Sequence, residues 1–441
     1  MTTSLETACT TPSTLIDTDV LVCGGGMAGA MAAVAAARQG ARVMLLERYG
    51  FLGGNATAGA VAQFNSWQTA NGRRVVAGLA QEVVQRLAAY GAAGEHQTFV
   101  MSTGHRMDRV EYAPEVLKLV LDDMVLDAGV QTLLHANLLD VQRAGRRITA
   151  VRVLTKSGIL AVRPGVLVDT SGDMDALQRA GAGFLDLDEG QAMQPATMMF
   201  KFGPIDFDRF DAIAPQALAA LAEAGFASGE LARAALHASR DPWSQEGWFN
   251  ISRLGIDATD AMALGRAEME GRRQAWRAAR YLQAKVPGCE NGRLRAFGTQ
   301  VGVRETRRIE GDHVLSAADL LQPVAFEDAI AAGAYPIDIH PSAGGGLRYQ
   351  ALGDDHAYQI PYRSLIPLGL DNALVAGRGL SATHEALAAV RVMTISMAVG
   401  QAAGTAAAMA CALATASPAD VRQVKPGPLR QALLRDGACL A

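Results

Sequence analysis

The chain has 441 residues, of which 50% are hydrophobic and 19% are charged, as is typical of globular proteins that build a hydrophobic core. This length predicts two or three domains rather than one. The formal net charge of −4 gives no overall field that would attract nucleic acid or an anionic membrane, so neither is expected as a partner.

The cysteines and the apolar stretches argue against several further classes of protein. Five cysteines are scattered without the spacing of a disulfide framework or a thiolate metal site, so no metal is expected. The first 18 residues lack the basic start and the apolar run of a secretory signal. The long apolar stretch at 395–416 is mostly Ala and Gly, which predicts a buried helix rather than a membrane span. We therefore expect a cytoplasmic protein whose N-terminus is flexible over residues 1–16.

The first elements of the chain form a strand–helix–strand unit. Residues 19–23 have the pattern of a buried strand, 27–39 that of an Ala-rich helix ended by Gly40, and 41–46 that of a second strand. Such a unit predicts parallel strands joined by a right-handed crossover. The predicted fold class is therefore α/β, with a Rossmann-like domain at its centre.

The loop between the first strand and the helix matches the dinucleotide-binding pattern GxGxxG. It has the sequence Gly24-Gly25-Gly26-Met27-Ala28-Gly29. The first glycine permits the tight turn, the third lets the backbone approach a pyrophosphate, and the last lets the helix pack closely on the strand. The helix N-terminus, which begins at Met27 and Ala28, then offers free N–H groups and a favourable dipole to the pyrophosphate.

An acidic residue at the end of the second strand completes this predicted site. Glu47 lies 18 residues beyond Gly29, and its carboxylate can accept hydrogen bonds from ribose hydroxyls. Two interpretations of the next residue, Arg48, stay open. It either recognises a ribose 2′-phosphate or is an exposed arginine beside the acid.

A second glycine pair decides between FAD and NAD. Gly53 and Gly54 follow close behind the ribose acid, so that the chain can run, with Asn55, Ala56 and Thr57, along a cofactor that extends past its pyrophosphate toward a flavin. A simple NAD site has no need of such a segment, and no further GxGxxG stands between a strand and a helix. The sequence predicts one site for FAD, bound non-covalently, and no NAD(P)H domain.

The later elements predict a second region inserted into the first. An antiparallel meander is expected over 137–163 and a short buried strand over 166–168, whereas tryptophans and Ala-rich helices dominate 184–295. We expect an FAD-binding domain formed by residues 17–183 and 366–435, with an inserted α+β substrate domain at 184–365. The parallel sheet of the first domain would carry the antiparallel meander.

Six segments of the chain share a recognisable pattern within residues 17–183 and 297–408. They are DVLVCGGGMAGAMAAVAAARQGARVMLLERYGFLGGNATAG, PEVLKLVLDDMVLDAGVQTLLHA, VLVDTSGDMDALQRAGA, VGVRETRRIEGDH, IPYRSLIP and LVAGRGLSATHEALAAVRVMTISMAVGQAAGTAAA. Together they resemble the FAD-dependent oxidoreductase family of the glutathione-reductase-like superfamily. The resemblance is specific for the fold and the cofactor, but it says little about the substrate, because one fold hosts many chemistries.

The resemblance implies cofactor contacts in the segment 169–173. This segment looks like the one with which the family returns to the pyrophosphate, so Thr170, Gly172 and Asp173 are implied contacts. Ser171 stands where Thr is usual, which is a mild departure from the family's pattern.

The resemblance also implies contacts near the C-terminus. Gly377 and Arg378 look like the segment that passes the flavin ribityl chain. A helix expected from about 389 would point its N-terminus, with Arg391 and Val392, at the flavin pyrimidine ring. A positive helix end at that place stabilises the negative charge of a reduced flavin.

Two histidines are candidates for the catalytic base. Oxidation of a substrate by a flavin needs a C–H group over N5 and usually a base for the departing proton, for which histidine is the natural choice. His384 lies close to the implied flavin contacts, and His340 precedes a Gly-rich loop at the edge of the site. Each of them could instead serve the structure through hydrogen bonds.

A run of charges at 304–308 supplies further candidates. Its alternation predicts a strand that shows charges on one face, and a salt-bridged structural strand is one interpretation. In the other, Arg304 or Arg307 faces the flavin cavity and binds a substrate carboxylate, since a guanidinium matches that geometry. Tyr362 is a similar candidate beside Pro361.

Two catalytic functions are compatible with these residues. The first is a dehydrogenase or oxidase that transfers a hydride from a small organic substrate to flavin N5 and passes the electrons to an external acceptor, which is O2, a quinone or another protein. The alternative is an FAD-dependent monooxygenase that uses O2 and NAD(P)H. Against it, residues 377–379 are Gly-Arg-Gly and not the Gly-Asp-Ala type of aromatic hydroxylases, and a halogenase-like WxWxIP is absent.

A third hypothesis is a non-catalytic flavin-binding or tRNA-modification protein. The acidic net charge argues against RNA as a partner. The sequence leaves open whether the protein forms a homo-oligomer.

Overall fold

The computed structural model describes residues 14–100, 104, 106–188, 191–341, 348–415 and 417–440. Residues 1–13 of the N-terminal segment predicted to be flexible lie outside these ranges, and residues 14–16 open the first strand. The strands, in chain order, are β1 (Thr14–Cys23), β2 (Val43–Leu46), β3 (Gln63–Asn65), β4 (Gln97–Val100), β5 (Arg106–Glu111), β6 (Gln131–Leu133), β7 (Asn137–Ala144), β8 (Arg147–Thr155), β9 (Gly158–Asp169), β10 (Phe200–Gly203), β11 (Ala238–Arg240), β12 (Gly247–Phe249), β13 (Arg293–Phe297), β14 (Ala329–Gly333), β15 (Ile337–Ile339), β16 (Arg348–Gln350), β17 (Tyr358–Pro361) and β18 (Ala373–Val375).

The helices follow the same chain order. They are α1 (Met27–Arg38), α2 (Leu79–Ala89), α3 (Pro114–Asp127), α4 (Asp175–Arg179), α5 (Phe207–Asp211), α6 (Pro215–Ala227), α7 (Ala261–Lys285), α8 (Ala317–Leu321), α9 (His384–Val390), α10 (Met393–Leu413) and α11 (Pro426–Arg435). Short 3-10 helices lie at Gly54–Ala56, Tyr362–Leu365 and Val421–Gln423.

A seven-stranded sheet forms the centre of the described part of the chain. Its order is β6-β2-β1-β9-β8-β7, and β18 also pairs with β9. Strands β6, β2, β1, β9 and β18 run parallel, whereas β7, β8 and the first half of β9 form an antiparallel meander. The predicted fold class, an α/β protein with a Rossmann-like domain that carries a β-meander, is therefore confirmed.

One strand of this sheet differs from the prediction. The strands expected at 159–163 and 166–168 are a single strand, β9, which runs through Pro164 and Gly165. Pairing with β8 reaches only Val162, and pairing with β18 begins at Leu167. Pro164 thus lies between the part of β9 that pairs with β8 and the part that pairs with β18. No neighbouring carbonyl on that edge of β9 needs the N–H group that proline lacks.

Helices α1 and α10 pack closely against each other through small residues. A Cβ atom added to Gly400 would lie 2.2 Å from the carbonyl oxygen of Ala28, and one added to Gly404 would lie 2.0 Å from that of Ala32. By length and composition alone α10 could span a membrane, but 78% of its apolar window is buried inside the protein. This matches the prediction of a buried helix, and it explains why Ala and Gly dominate the segment.

The inserted region has a second sheet and a hydrophobic core of its own. The sheet has the order β11-β12-β10-β13, and helices α5, α6 and α7 accompany it in the chain. The buried residues of this core lie between Ala196 and Val303, whereas buried residues from Ile309 to Leu365 belong to the core of the central sheet. The division of the chain at residues 184–365 remains a proposal.

The predicted strand at 304–308 is wrong. The segment is irregular chain between two isolated bridges, Thr197 with Gly302 and Phe184 with Ile309. Its charged side chains are engaged within the protein, as when the Arg308 guanidinium donates to the Ala382 carbonyl at 2.9 Å. The alternation of charge therefore reflects an internal polar network and not one face of a sheet.

The helix predicted from about 389 is divided into α9 and α10. Val392 has an extended backbone, with φ −65° and ψ 149°, and no side chain caps the start of α10. The β-branched residues Val390 and Val392, on either side of Arg391, have low helix propensity, which favours a break here. The break leaves the first N–H groups of α10, from Met393 onward, without helical partners.

Candidate functional site

The loop between β1 and α1 has the geometry of a phosphate-binding turn. Gly24 has φ +104°, and a Cβ atom there would lie 2.6 Å from the carbonyl oxygen of Thr170. A Cβ atom on Gly29 would lie 1.9 Å from the carbonyl oxygen of Gly24, so only glycine lets α1 start this close to β1. No side chain caps α1 at Gly26, and its first N–H groups, at Met27 and Ala28, are left for a ligand.

Glu47 is buried at the end of β2 and is oriented by backbone amides. Its Oε2 accepts a hydrogen bond from the Gly25 N–H at 2.7 Å, and its Oε1 accepts one from the Tyr49 N–H at 2.9 Å. Each carboxylate oxygen can accept a further bond, so this arrangement is suited to ribose hydroxyls. The exposed Arg48 donates to the Gln300 side chain at 2.6 Å, which favours the exposed arginine over a 2′-phosphate reader.

The second glycine pair lies directly against the first loop. Gly26 and Gly53 form a bridge, and the Gly53 N–H donates to the Gly25 carbonyl at 2.8 Å. The next residues are held in place by the protein itself. The Asn55 amide donates to the Val303 carbonyl at 3.0 Å, the Ala56 carbonyl accepts from the Tyr112 hydroxyl at 3.2 Å, and the Thr57 hydroxyl donates to the Leu52 carbonyl at 2.6 Å.

The segment after β9 supports the phosphate loop from the other side. The Thr170 hydroxyl donates to the Gly24 carbonyl at 2.6 Å, and Asp173 Oδ1 accepts from Arg378 Nη2 at 3.0 Å. A Cβ atom on Gly172 would lie 2.6 Å from that same Arg378 Nη2. The structure thus brings the predicted residues near 170 together with the predicted residue Arg378.

The residues around the phosphate loop fit an extended dinucleotide. A Cβ atom on Gly26 would meet nothing closer than the Gly54 Cα at 3.9 Å, so the loop is open on that side. Gly377 faces Ala28 at the same place, since a Cβ on Gly377 would lie 3.4 Å from the Ala28 Cβ. Within the described chain, Arg378 Nη1 and Arg391 Nε are buried donors without a hydrogen-bond partner, as expected where a bound cofactor would supply the acceptors.

A cavity of about 750 Å³ continues from this end of the fold into the inserted region. Part of its lining, namely Asn55, Arg378, Arg391, Val392 and Met393, lies in or beside the predicted cofactor segments. The lining also includes residues of the inserted region and of the segments that follow its core, among them Met199, Arg233, Leu236, His237, Trp248, Asn250, Arg304, Tyr335, Asp338 and His340. Its size is within the range of small-molecule sites.

His340, Asp338 and Tyr335 form a buried polar group on the wall of this cavity. Asp338 Oδ2 accepts from the Tyr335 hydroxyl at 3.0 Å and lies 3.3 Å from His340 Nε2. Burial lowers the pKa of His340 to about 3, with a contribution from the Arg304 cation. Burial alone would raise the pKa of Asp338, but hydrogen bonding from His340 and the charge of Arg391 outweigh it and hold that pKa below its ordinary value.

These shifts fix the protonation states of the pair at neutral pH. Asp338 is ionised and His340 is neutral, so the Nε2 proton of His340 faces the carboxylate. The other ring nitrogen, Nδ1, then carries a free lone pair. This lone pair is the basic site of the pair, and a ligand that offsets the charge of Arg304 would raise the pKa of His340 toward the range in which an imidazole accepts a proton.

The low pKa of His340 also predicts how stability depends on pH. An unfolded histidine binds a proton near pH 6.5 and folded His340 only near 3, so the unfolded state binds more protons between these values. The free energy of unfolding should fall on acidification from about pH 7 to about pH 5, and we expect the fall to be about 2 kcal/mol smaller in His340→Gln. Urea unfolding at both pH values measures this, and equal falls in the two proteins would contradict the assigned protonation state.

The other candidate base, His384, is buried at the start of α9. Its Nδ1 lies 2.8 Å from Glu305 Oε1, and the second oxygen of Glu305 accepts from the Gln194 N–H at 3.1 Å. His384 is not one of the described residues that line the cavity. Its observed contacts are those of a residue that links α9 to the segment at 304–308.

Two further candidates also lie away from the cavity wall, whereas Arg304 is on it. The Tyr362 hydroxyl donates to the Val421 carbonyl at 2.9 Å, and the Arg307 guanidinium donates to the Asp173 carbonyl at 2.9 Å. Arg304 Nη1 donates to the Thr197 hydroxyl at 2.7 Å while the side chain borders the cavity.

Several residues on the cavity wall were not found by inspection of the sequence. Asp338, Tyr335 and Arg233 belong to this set. A signal existed for Asp338 alone, because residues i and i+2 of a strand share a face and His340 is two residues beyond it. The others depend on contacts between segments far apart in the chain.

The fold and this site define a flavoprotein of the Rossmann type, with a cavity lined both by the predicted cofactor segments and by the inserted region. The chain matches the family model described as FAD dependent oxidoreductase over residues 19–433. It belongs to that family, and it is an FAD-dependent oxidoreductase as the residues predict.

Several solved structures are similar to this chain at low sequence identity. A geranylgeranyl bacteriochlorophyll reductase-like protein from Thermoplasma acidophilum has 12% identity and a TM-score of 0.49, with 96% of this chain and 85% of that chain covered. An anhydrotetracycline hydroxylase from Streptomyces rimosus has 14% identity and a TM-score of 0.48, with 96% and 68% covered. A p-nitrophenol 4-monooxygenase from Pseudomonas putida has 12% identity and a TM-score of 0.41, with 95% and 84% covered. Among curated proteins, none matches the chain.

Proposed function

We propose that this FAD-dependent oxidoreductase is a dehydrogenase or oxidase that removes a hydride and a proton from a small organic substrate. The observation that carries the proposal is the neutral His340 imidazole, backed by Asp338 and lining the same cavity as the cofactor segments. A base placed there suits a reaction that starts from a hydroxyl or amino group next to the carbon that is oxidised.

The protein's own residues would prepare the substrate for this reaction. His340 Nδ1 would accept the proton of the substrate hydroxyl or amino group, and Asp338 would stabilise the imidazolium that forms. The Tyr335 hydroxyl, which donates to Asp338 at 3.0 Å, fixes the carboxylate in position. Apolar side chains such as Met199 and Trp248 would exclude water from the reacting carbon.

The cofactor would be held by the residues described above, from the phosphate loop to Arg391 and Val392. When bound, FAD supplies a two-electron acceptor for the substrate hydride. The uncapped start of α10 and the unpartnered Nε of Arg391 place positive charge at this end of the cavity, where they favour a reduced, anionic cofactor.

The proposal extends to the location of the enzyme in the cell and to its partners. We propose a cytoplasmic location, which is supported by the largely buried α10. The partners would be a small-molecule substrate and an external electron acceptor, namely O2, a quinone or another protein, with neither nucleic acid nor membrane required.

The visible absorption of the purified flavoprotein tests this function. Without oxygen, we expect an organic substrate alone to bleach the oxidised flavin, because the substrate itself is the electron donor. A panel of small hydroxy and amino compounds, each also tested with NADH or NADPH, provides the comparison. Bleaching by NAD(P)H only, accelerated by the substrate, would contradict the proposal and favour a monooxygenase.

A further inference from the structure

The cavity wall carries more positive charge than the protein itself neutralises. Arg233, Arg304 and Arg391 all line it, and the described residues form no ion pair with any of the three guanidinium groups. Arg304 donates to neutral oxygens, those of Pro195 and Thr197, at 2.5 and 2.7 Å. Among the described residues that line the cavity, only Glu223 and Asp338 are acidic.

The arginines on the wall repel one another. Burial, together with the charges of Arg391 and Arg233, lowers the pKa of Arg304 to about 9. The guanidinium stays charged at neutral pH, so the repulsion remains in the folded protein. Asp338 offsets part of it, but this carboxylate already accepts from Tyr335 and faces His340.

The cofactor leaves much of this charge for another ligand. An oxidised flavin ring is neutral, and Arg391 lies at its predicted end of the cavity, beside Val392 and Met393. Arg233 and Arg304 line the same cavity, together with residues of the inserted region such as Met199 and Trp248. An anion bound between these two arginines would relieve the repulsion, because buried cations need a counter-charge.

Apolar side chains form a large part of the rest of the cavity lining. Met199, Leu236, Trp248, Leu218 and Phe226 contribute hydrocarbon or aromatic surface. Such a wall favours a ligand with a hydrophobic body rather than a small inorganic ion. The fixed fork of a guanidinium matches the planar oxygens of a carboxylate.

We propose that the substrate is an organic acid whose carboxylate is bound by Arg304 and Arg233 while its apolar body packs on Met199 and Trp248. This inference rests on the proposed function and names its substrate class. In the reaction, the hydride leaves the carbon that bears the hydroxyl or amino group, the proton leaves to His340, and the product is the corresponding oxo or imino acid. The two electrons go to the bound FAD.

Binding to the oxidised flavoprotein tests this site without turnover. The probes are benzoate, phenylacetate and hexanoate, each paired with its uncharged amide, and phenyl phosphate is added as a second anion. Saturable changes in flavin absorption and a rise in Tm report binding. We expect the three carboxylates to bind and the three amides to bind at least tenfold more weakly.

Substitutions locate the binding group. Arg304→Gln and Arg233→Gln are expected to weaken carboxylate binding at least tenfold while the bound flavin content stays unchanged. Arg273→Gln is the matched control, because Arg273 lies on α7 with 73% of its side chain exposed, and it should bind as the parent protein does. Equal binding by the parent protein and both cavity variants would overturn the proposal, as would tighter binding of phenyl phosphate than of phenylacetate.

The two proposals fail in different ways. Carboxylate binding that depends on Arg304 and Arg233, without bleaching by any acid or alcohol, would contradict the proposed oxidation and support the anion site. Bleaching by an uncharged substrate, together with failure of every carboxylate to bind, would support the oxidation and overturn the anion site.

Discussion

Replacing His340 by Gln is expected to lower kcat about 10²- to 10⁴-fold, the range typical for loss of a general base. The glutamine keeps a polar side chain beside Asp338 but has no basic nitrogen to take the substrate proton. Because His340 contacts no phosphate-loop residue, the variant should retain its FAD. Anaerobic stopped-flow bleaching by the substrate measures the rate, and the flavin-to-protein absorbance ratio measures cofactor content.

The other histidine provides the comparison for this variant. His384→Gln should lower the rate much less, since His384 is bonded to Glu305 and is not among the described residues on the cavity wall. The pH profile gives a second check. His340 is neutral above about pH 3, so activity should not fall between pH 8 and 5 through protonation of this base. A large loss in His384→Gln with normal rates in His340→Gln would reverse the assignment.

Replacing Gly29 by Ala should remove FAD from the protein and lower its free energy of unfolding by about 3 kcal/mol or more. The added methyl group would lie 1.9 Å from the Gly24 carbonyl oxygen and 2.6 Å from the Thr170 hydroxyl oxygen. Helix α1 would have to move away from β1, and the N–H groups that face the pyrophosphate would move with it. Flavin content after purification and urea unfolding measure the two effects.

Gly265→Ala is the matched control for this substitution. Gly265 is also a helical glycine, in α7, but a Cβ atom there meets nothing within 4 Å. In that open position alanine should stabilise the protein by up to about 1 kcal/mol, because it favours the helix over the unfolded chain. Full flavin content in Gly29→Ala would contradict the assigned role of the β1–α1 loop.

The family and the site together narrow the chemistry of this protein. The cofactor segments line the cavity together with His340 and its carboxylate partner Asp338. The inserted region adds Arg233 and an apolar surface to the same cavity. A flavin oxidoreductase that acts on a hydrophobic organic acid is therefore the function that these residues support best.

The loop geometry predicted for the adenine end of the cofactor site is the one that the structure shows, while the contacts of its residues with FAD stay a prediction. Gly24, Gly29 and Glu47 act through short-range geometry, in which a strand, a turn and a helix are consecutive in the chain. For the same reason, the β-meander and the bounds of α1 agree with the predicted ones. The break between α9 and α10 and the irregular chain at 304–308 differ, because packing between distant segments decides both.

The catalytic end, by contrast, could not be read from local patterns. The sequence placed His384 nearer to the implied flavin contacts than His340, and only the tertiary structure shows that His340 lines the cavity while His384 is bonded to Glu305. The Arg304 side chain is held at the cavity by a hydrogen bond to the Thr197 hydroxyl. Arg233, from the inserted region, lines the same cavity. The sequence by itself determined the fold and the cofactor, because they depend on neighbouring residues. The tertiary structure decided which charges meet, because burial and proximity between distant segments set their pKa values and their partners.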